Sequence, residues 1–200
     1  MNDAIYLVPY DTDWPSQFNA LANIYRSCLS GLPVTVEHIG STSVPGLASK
    51  PILDIDIIVP GMEAANQVSH KLETLGYTAL GERGVPGRFA FELGNVCNTS
   101  ESITAIRHNL YVCLEDSESL ANHMAFRDYL RTNRWAVKHY QRIKYLSAKM
   151  AMGDTQRYVT LKTGFVSLVL ARCGFSDTAL SIITSVNRSF SGSRPLGPFI

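Results

Sequence analysis

Residues 34–39, Val-Thr-Val-Glu-His-Ile, alternate apolar and polar side chains with the period of two that a half-buried strand imposes. Residues 52–59 are apolar except for Asp54 and Asp56, and they predict a second strand halted by Pro60-Gly61. Residues 77–80, 88–93 and 103–114 read as further strands, and 5–8 as a short first one. Between them the period changes. Asp13, with Pro15 in the first turn, predicts a helix from its cap to about residue 29, and 63–75 predict an amphipathic helix closed by Gly76. From Ser117 onward the pattern is helical, over 120–131, 134–152 and 155–172, with breaks at Thr132-Asn133 and Gly153-Asp154.

The order is a mixed α/β half followed by a helical half. Residues 1–115 are expected to form the core and 116–173 a helical region packed on it. Residues 174–200 form a C-terminal extension, loose from Ser189 on, where Gly192, Pro195, Gly197 and Pro198 cluster. At 200 residues the whole suits one compact domain. Hydrophobic residues at 46% and charged ones at 18% are ordinary for a globular chain, and a net charge of +1 argues against wholesale binding of nucleic acid or an anionic membrane. Asp3 stands where a signal peptide is basic, and no apolar run approaches the roughly 20 residues that span a bilayer. Cys28, Cys97, Cys113 and Cys173 are scattered without a Cys-x-x-Cys pair, which predicts reduced thiols in a cytoplasmic protein.

The chemistry concentrates in residues 37–56. Side chains two apart on a strand share a face, so Asp54 and Asp56 project together from an aliphatic strand. Two neighbouring carboxylates repel each other and favour a shared cation, and Mg²⁺ (or Mn²⁺) takes such oxygen ligands together with substrate phosphates. The alternative is an edge strand with one acid in solvent and the other capping a loop. Upstream, Gly40 lacks a Cβ and lets a phosphate approach its backbone, while Ser41 and Thr42 offer hydroxyls. Lys50 stands at the mouth of the acidic strand, to neutralise phosphate or to pair with the aspartates. His38 shares a strand face with Val36, which suits a core or supporting histidine better than a metal ligand.

The stretch Glu37-His38-Ile39-Gly40-Ser41-Thr42-Ser43-Val44-Pro45-Gly46-Leu47-Ala48-Ser49-Lys50-Pro51-Ile52-Leu53-Asp54-Ile55-Asp56 resembles the signature of the GrpB family. The likeness continues through Val8-Pro9-Tyr10, Trp14-Pro15, Leu75-Gly76-Tyr77, residues 107–112, residues 126–131 and Tyr158-x-x-x-Lys162. It implies a nucleotidyltransferase-like mixed β-sheet with packed helices and a C-terminal helical bundle, a Mg²⁺ site and nucleotidyl-transfer chemistry. A related domain is fused to dephospho-CoA kinase in some bacteria, which hints at a CoA-linked role. Superfamily catalysts carry a third acid on a later strand; here that strand reads His108-Asn109-Leu110-Tyr111-Val112. Asn109 and Tyr111 share one face and His108 the other, so nitrogen and oxygen donors are expected to support the site, with Glu92 a substitute acid.

In the helical half Arg127 and Arg131 lie four apart beside Asp128, an ordinary solvated face unless the helix is pressed into a core by Phe126, Tyr129 and Leu130. Tyr140/Lys144 and Tyr158/Lys162 repeat that spacing. Lys162 sits among Leu161, Phe165 and Val169, a setting that asks its ammonium to reach a partner. Arg127, Lys144 and Lys162 are expected either to lean toward the acidic site and bind triphosphate, or to form structural ion pairs. Trp14 and Trp135 read as core or interface anchors. The leading expectation is a Mg²⁺-dependent transferase acting on a nucleoside triphosphate and an unknown acceptor. The alternative is a non-catalytic nucleotide-binding or regulatory module.

Overall fold

The computed structural model describes residues 5–94 and 101–189; Cys97 and the expected loose tail lie outside them. Chain order is α1 (Trp14–Cys28), β1 (Thr35–Ile39), β2 (Leu53–Val59), α2 (Met62–Thr74), β3 (Tyr77–Gly81), β4 (Arg88–Leu93), α3 (Glu101–Ala105), β5 (His108–Leu114), α4 (Glu118–Thr132), α5 (Arg134–Ala151), α6 (Thr155–Arg172) and α7 (Asp177–Ser189). The strands form one sheet in the order β1-β2-β5-β4-β3. Among the described residues only β2 and β5 run parallel, which places the last strand in the chain beside the acidic one.

Three expectations are corrected. The segment 5–8 is not a strand: Val8 alone bridges to Ser49. The 103–114 strand divides into α3 and β5, because Ile103 turns into the core from a helical turn and Arg107 O accepts from Leu53 N as the ladder begins. Asp13 stands at the N-cap of α1 without a side-chain cap; Ser16 Oγ bonds its carbonyl at 2.8 Å and its own N–H goes to Asp11 Oδ1 at 2.9 Å. In the extension, 177–189 form α7, packed on α6.

Period-two alternation in β2 divides the molecule. Leu53, Ile55, Ile57 and Val59 join Leu110 and Val112 of β5 in a core with Trp14, Leu21 and Tyr25 of α1 and Val68 and Leu72 of α2. The opposite face of the sheet meets α4 through Tyr111, Cys113 and Leu120, and α4 to α7 share a second core built on Phe126, Tyr140, Phe165 and Leu170. Removing one such Leu costs about 2–5 kcal/mol, so these two cores hold the helices rigidly over the sheet. Trp14 is core, as expected, whereas Trp135 is 41% exposed and packs its ring edge on Tyr129.

Candidate functional site

Between the sheet, the 40–50 loop and α4 to α6 lies a cavity of about 110 Å³. It is lined by Gly40, Ser41, Thr42, Lys50, Asp54, Asn109, Tyr111, Arg127, Lys144 and Lys162, so ten residues expected at a site are brought to one place. Asp54 and Asp56 pair with Asn109 and Tyr111 in the β2/β5 register and so share the cavity face of the sheet.

Gly40 is required by geometry. Its φ of 68° and ψ of −169° fall where essentially only glycine is found. A Cβ there would stand 2.9 Å from both Cβ and Cγ of Asp54. The bare Cα therefore brings the loop backbone onto the acid. Ser41–Ser43 then make a single 3₁₀ turn, tied by Ser43 Oγ donating to Gly40 O at 2.6 Å.

The loop is stapled from the helical half. Arg127 Nη1 donates to His38 O (3.1 Å) and to Glu37 (2.7 Å), while its Nε bonds Asp128. Arg131 Nε reaches Ser43 O at 3.0 Å, and Gln141 Oε1 accepts from Ala48 N at 3.0 Å. Lys144 Nζ donates to Ala48 O (2.6 Å) and Ser49 Oγ (3.0 Å). Arg127 and Lys144, expected at phosphate, thus line the cavity while bonding to the end of β1 and to the loop respectively. Lys162 Nζ lies 4.3 Å from the Tyr158 ring centroid, on the cavity wall with Asp54.

Asp54 Oδ1 accepts from Asn109 Nδ2 at 2.7 Å. Burial, aided by the Asp56 charge, pushes the Asp54 carboxyl above the usual range, against the opposing pulls of Asn109, His123 and Lys162. Asp56 is fully buried, with His123 Nδ1 at 2.7 Å from Oδ2, and its Oδ1 has no hydrogen-bond partner among the described residues. A buried carboxylate oxygen without a partner among the described residues, beside a second acid on the same sheet face, is a set of oxygen donors that could hold a divalent cation.

Two expected supporting residues stand on the other face. His38 stacks on Phe18 and bonds Thr42 Oγ1 through Nε2 at 3.0 Å; burial, then Arg131 and Arg127, lowers it to about 4, so its imidazole is neutral. It supports the loop from behind. His108 is corrected outright: it faces the α1 core, where Nδ1 donates to Ile106 O (2.6 Å) and Nε2 meets the Tyr25 and Tyr77 hydroxyls, one donating to it and the other to its neighbouring hydroxyl. Glu92 is not among the residues lining the cavity.

Sequence reasoning missed His123, which lines the cavity and forms with Asp56 and Cys113 a buried group whose ligand atoms lie within 4.8 Å of one another. The spacing of four through His123, Arg127 and Arg131 was the available signal, since it puts all three on one face of α4. Gln141 carried no such signal.

A model of the GrpB protein family matches residues 4–172. The chain belongs to the GrpB family. Among curated relatives, a UPF0157 protein of Halalkalibacterium halodurans is 32% identical over 171 residues, covering 86% of this chain and 83% of that protein. The dephospho-CoA kinase of Mycobacterium tuberculosis is 25% identical over 173 residues, covering 78% of this chain and 42% of the kinase. Among solved structures, the conserved protein GrpB from Enterococcus faecalis is 28% identical with a TM-score of 0.70, covering 85% of this chain and 100% of that one. Cid1 in complex with its short product ApU is 13% identical with a TM-score of 0.54, covering 81% of this chain and 49% of Cid1, and shares the fold. The architecture is therefore nucleotidyltransferase-like, a mixed sheet with helices on both faces. Among the described residues no helix is long and apolar enough to cross a membrane.

Proposed function

We propose that this GrpB protein binds a nucleoside triphosphate by its phosphates in the cavity and transfers the nucleotidyl group to an acceptor hydroxyl with Mg²⁺ or Mn²⁺. The observation that carries this reading is the contact of Gly40 with Asp54 on the wall of a cavity that also holds Lys50 and Lys162. A carboxylate at the bare backbone of a small-residue loop, facing ammonium groups, suits a metal-bridged phosphate and little else.

Asp54 and Asp56 would hold the cation, which when bound neutralises phosphate charge and polarises the reacting phosphoryl group. Asn109 fixes the Asp54 carboxylate by its 2.7 Å bond, and Tyr111 closes the floor. Gly40, Ser41 and Thr42 grip the phosphate tail, with Thr42 oriented by His38. Lys50 and Lys162 face the phosphates, while Arg127 and Lys144 keep the loop in shape. The acceptor oxygen forms a bond to the α-phosphorus, the α–β bridge breaks, pyrophosphate leaves, and the hydroxyl proton passes to water. The free thiols of Cys28, Cys113 and Cys173 suit a reducing, cytoplasmic setting.

The bond from Asn109 to Asp54 favours a second reading, since an amide occupies the position at which superfamily catalysts carry a third acid. In that reading the protein is a nucleotide-binding module that regulates a partner, and kinship with dephospho-CoA kinase makes CoA synthesis the first setting to try. One experiment separates the two. Purified protein is incubated with each nucleoside triphosphate and Mg²⁺, and pyrophosphate release and thermal shift are recorded together. Release supports transfer; a nucleotide-dependent shift without release supports the module; neither response would sink both.

A further inference from the structure

Three ammonium groups reach the cavity from three segments. Lys50, from the loop before β2, lies 5.1 Å from the Tyr158 ring centroid, and Lys162 of α6 lies 4.3 Å from the same centroid. Lys144 of α5 is buried beside them, held by Ala48 O and Ser49 Oγ. Among the described residues none of the three forms an ion pair with a carboxylate. The cavity wall offers one acid, Asp54, already bonded by Asn109; Asp56 lies beneath it on His123. The other titratable groups on the lining are Tyr111 of β5, His123 and Arg127 of α4, and Tyr158 of α6, none of which brings a negative charge near neutral pH.

Size narrows the ligand further. A partly open space of about 110 Å³ is well below the ~300 Å³ at which pockets for drug-sized molecules begin, so it suits phosphate groups better than a whole nucleotide.

We propose that Lys50 and Lys162 around Tyr158, with Lys144 behind them holding the loop, form a polyphosphate subsite that reads the phosphate chain and not the base, accepts inorganic tripolyphosphate as it accepts a nucleotide, and fills with uptake of a proton by Lys162. The inference rests on phosphate binding as proposed above and is independent of whether transfer follows.

The proton follows from the charge imbalance. Burial, then repulsion by Lys50, holds Lys162 down to about 7, with Asp54 opposing, so above neutral pH much of the free protein carries an uncharged amine there. Burial, then Lys162, also lowers Lys144 well below the ordinary lysine range, but its bonds to the loop are made by an amine in either state. A phosphate oxygen beside Lys162 reverses the imbalance and raises it toward the ordinary lysine range. Binding then draws a proton from solvent, and affinity falls as pH rises above 7.

Isothermal titration calorimetry of the full chain at pH 8, in two buffers of different ionisation enthalpy, tests this with tripolyphosphate, ATP and GTP. The expected result is that all three bind within about threefold of each other. Parent protein should take up about one proton more than Lys162→Arg with the same ligand, a difference that cancels the ligand's own titration. Lys162→Met should bind at least about tenfold more weakly, having lost a charge-assisted contact, with its fold checked by circular dichroism. Binding of one nucleotide but not tripolyphosphate would overturn the inference and leave nucleotide binding standing. Equal proton uptake by parent and Lys162→Arg would overturn the role of Lys162. No binding of any of the three would overturn both this inference and the function on which it rests.

Discussion

The face of the sheet that packs on α1 and the face that lines the cavity are built from alternate residues of the same two strands, and both bury polar groups. On the α1 side the Tyr25 and Tyr77 hydroxyls meet at 2.6 Å and converge on His108, whose other nitrogen is occupied by Ile106 O. Every polar atom of that trio has a protein partner, and the group closes on itself. On the cavity side, among the described residues, Asp56 leaves one buried oxygen without a hydrogen bond, and Lys162 sets its ammonium over the Tyr158 ring with no carboxylate in salt-bridge reach. Groups of the same kind at similar depth differ in whether the fold satisfies them. A satisfied set makes the core specific, whereas an unsatisfied set in a cavity marks where a ligand completes the structure.

The sharpest way to break this comparison is Gly40→Ala. A side chain there meets Asp54 and demands a backbone conformation reserved for glycine, at a cost of roughly 2–5 kcal/mol. We expect a large fall in the urea midpoint together with complete loss of nucleotide-dependent thermal shift. Unchanged binding would mean that the loop does not meet the ligand.

Next comes the acid pair. Asp54→Asn with Asp56→Asn should abolish the Mg²⁺-dependent thermal shift while the apo protein stays folded, because neutral amides no longer repel each other in the empty site. An unfolded double variant would assign the acids to the structure instead.

His108→Ala probes the other face. It leaves two buried hydroxyls with one another only, which costs about 1–3 kcal/mol. Urea denaturation should register that loss while nucleotide affinity holds within about twofold. A tenfold loss of affinity would show that the two faces are not independent.

The smallest effect is a slope. Lys162 titrates near 7 in the folded protein and at ~10.4 when unfolded, so between those values the unfolded chain holds a proton that the native one lacks. Stability therefore rises with pH across that window and is lost as pH falls toward 7. Lys162→Met should flatten this slope, at most ~1.4 kcal/mol per pH unit, in urea titrations from pH 7 to 9. A slope unchanged by the variant would place the ammonium in solvent.

Much of this was legible in residue order. Alternation located β1 and β2, and the same period put Asp54 with Asp56 and Asn109 with Tyr111. The start of α3 was not legible, since Ile103 and Ile106 continue an apolar run into β5, and only the bend at Ile106-Arg107 separates helix from strand. The role of the helical half was half legible. Spacing set Arg127, Lys144 and Lys162 among apolar neighbours, but did not show that Arg127 bonds to β1 and Lys144 to the loop while Lys162, among the described residues, packs on a ring.

By itself the sequence determined what depends on near neighbours: the strand faces, the glycine loop, the limits of α1, α2 and α4 to α6, and the pairing of the two acids along β2. Those follow from backbone geometry and the periods of two and 3.6, which act over a few residues. Tertiary structure alone decided that β5 lies against β2, so that an amide holds Asp54. It also decided that His123 reaches Asp56 across 67 residues of chain and that His108 turns away into the core. Contacts between distant segments depend on how whole faces bury their apolar area together, and no local pattern encodes which partner arrives.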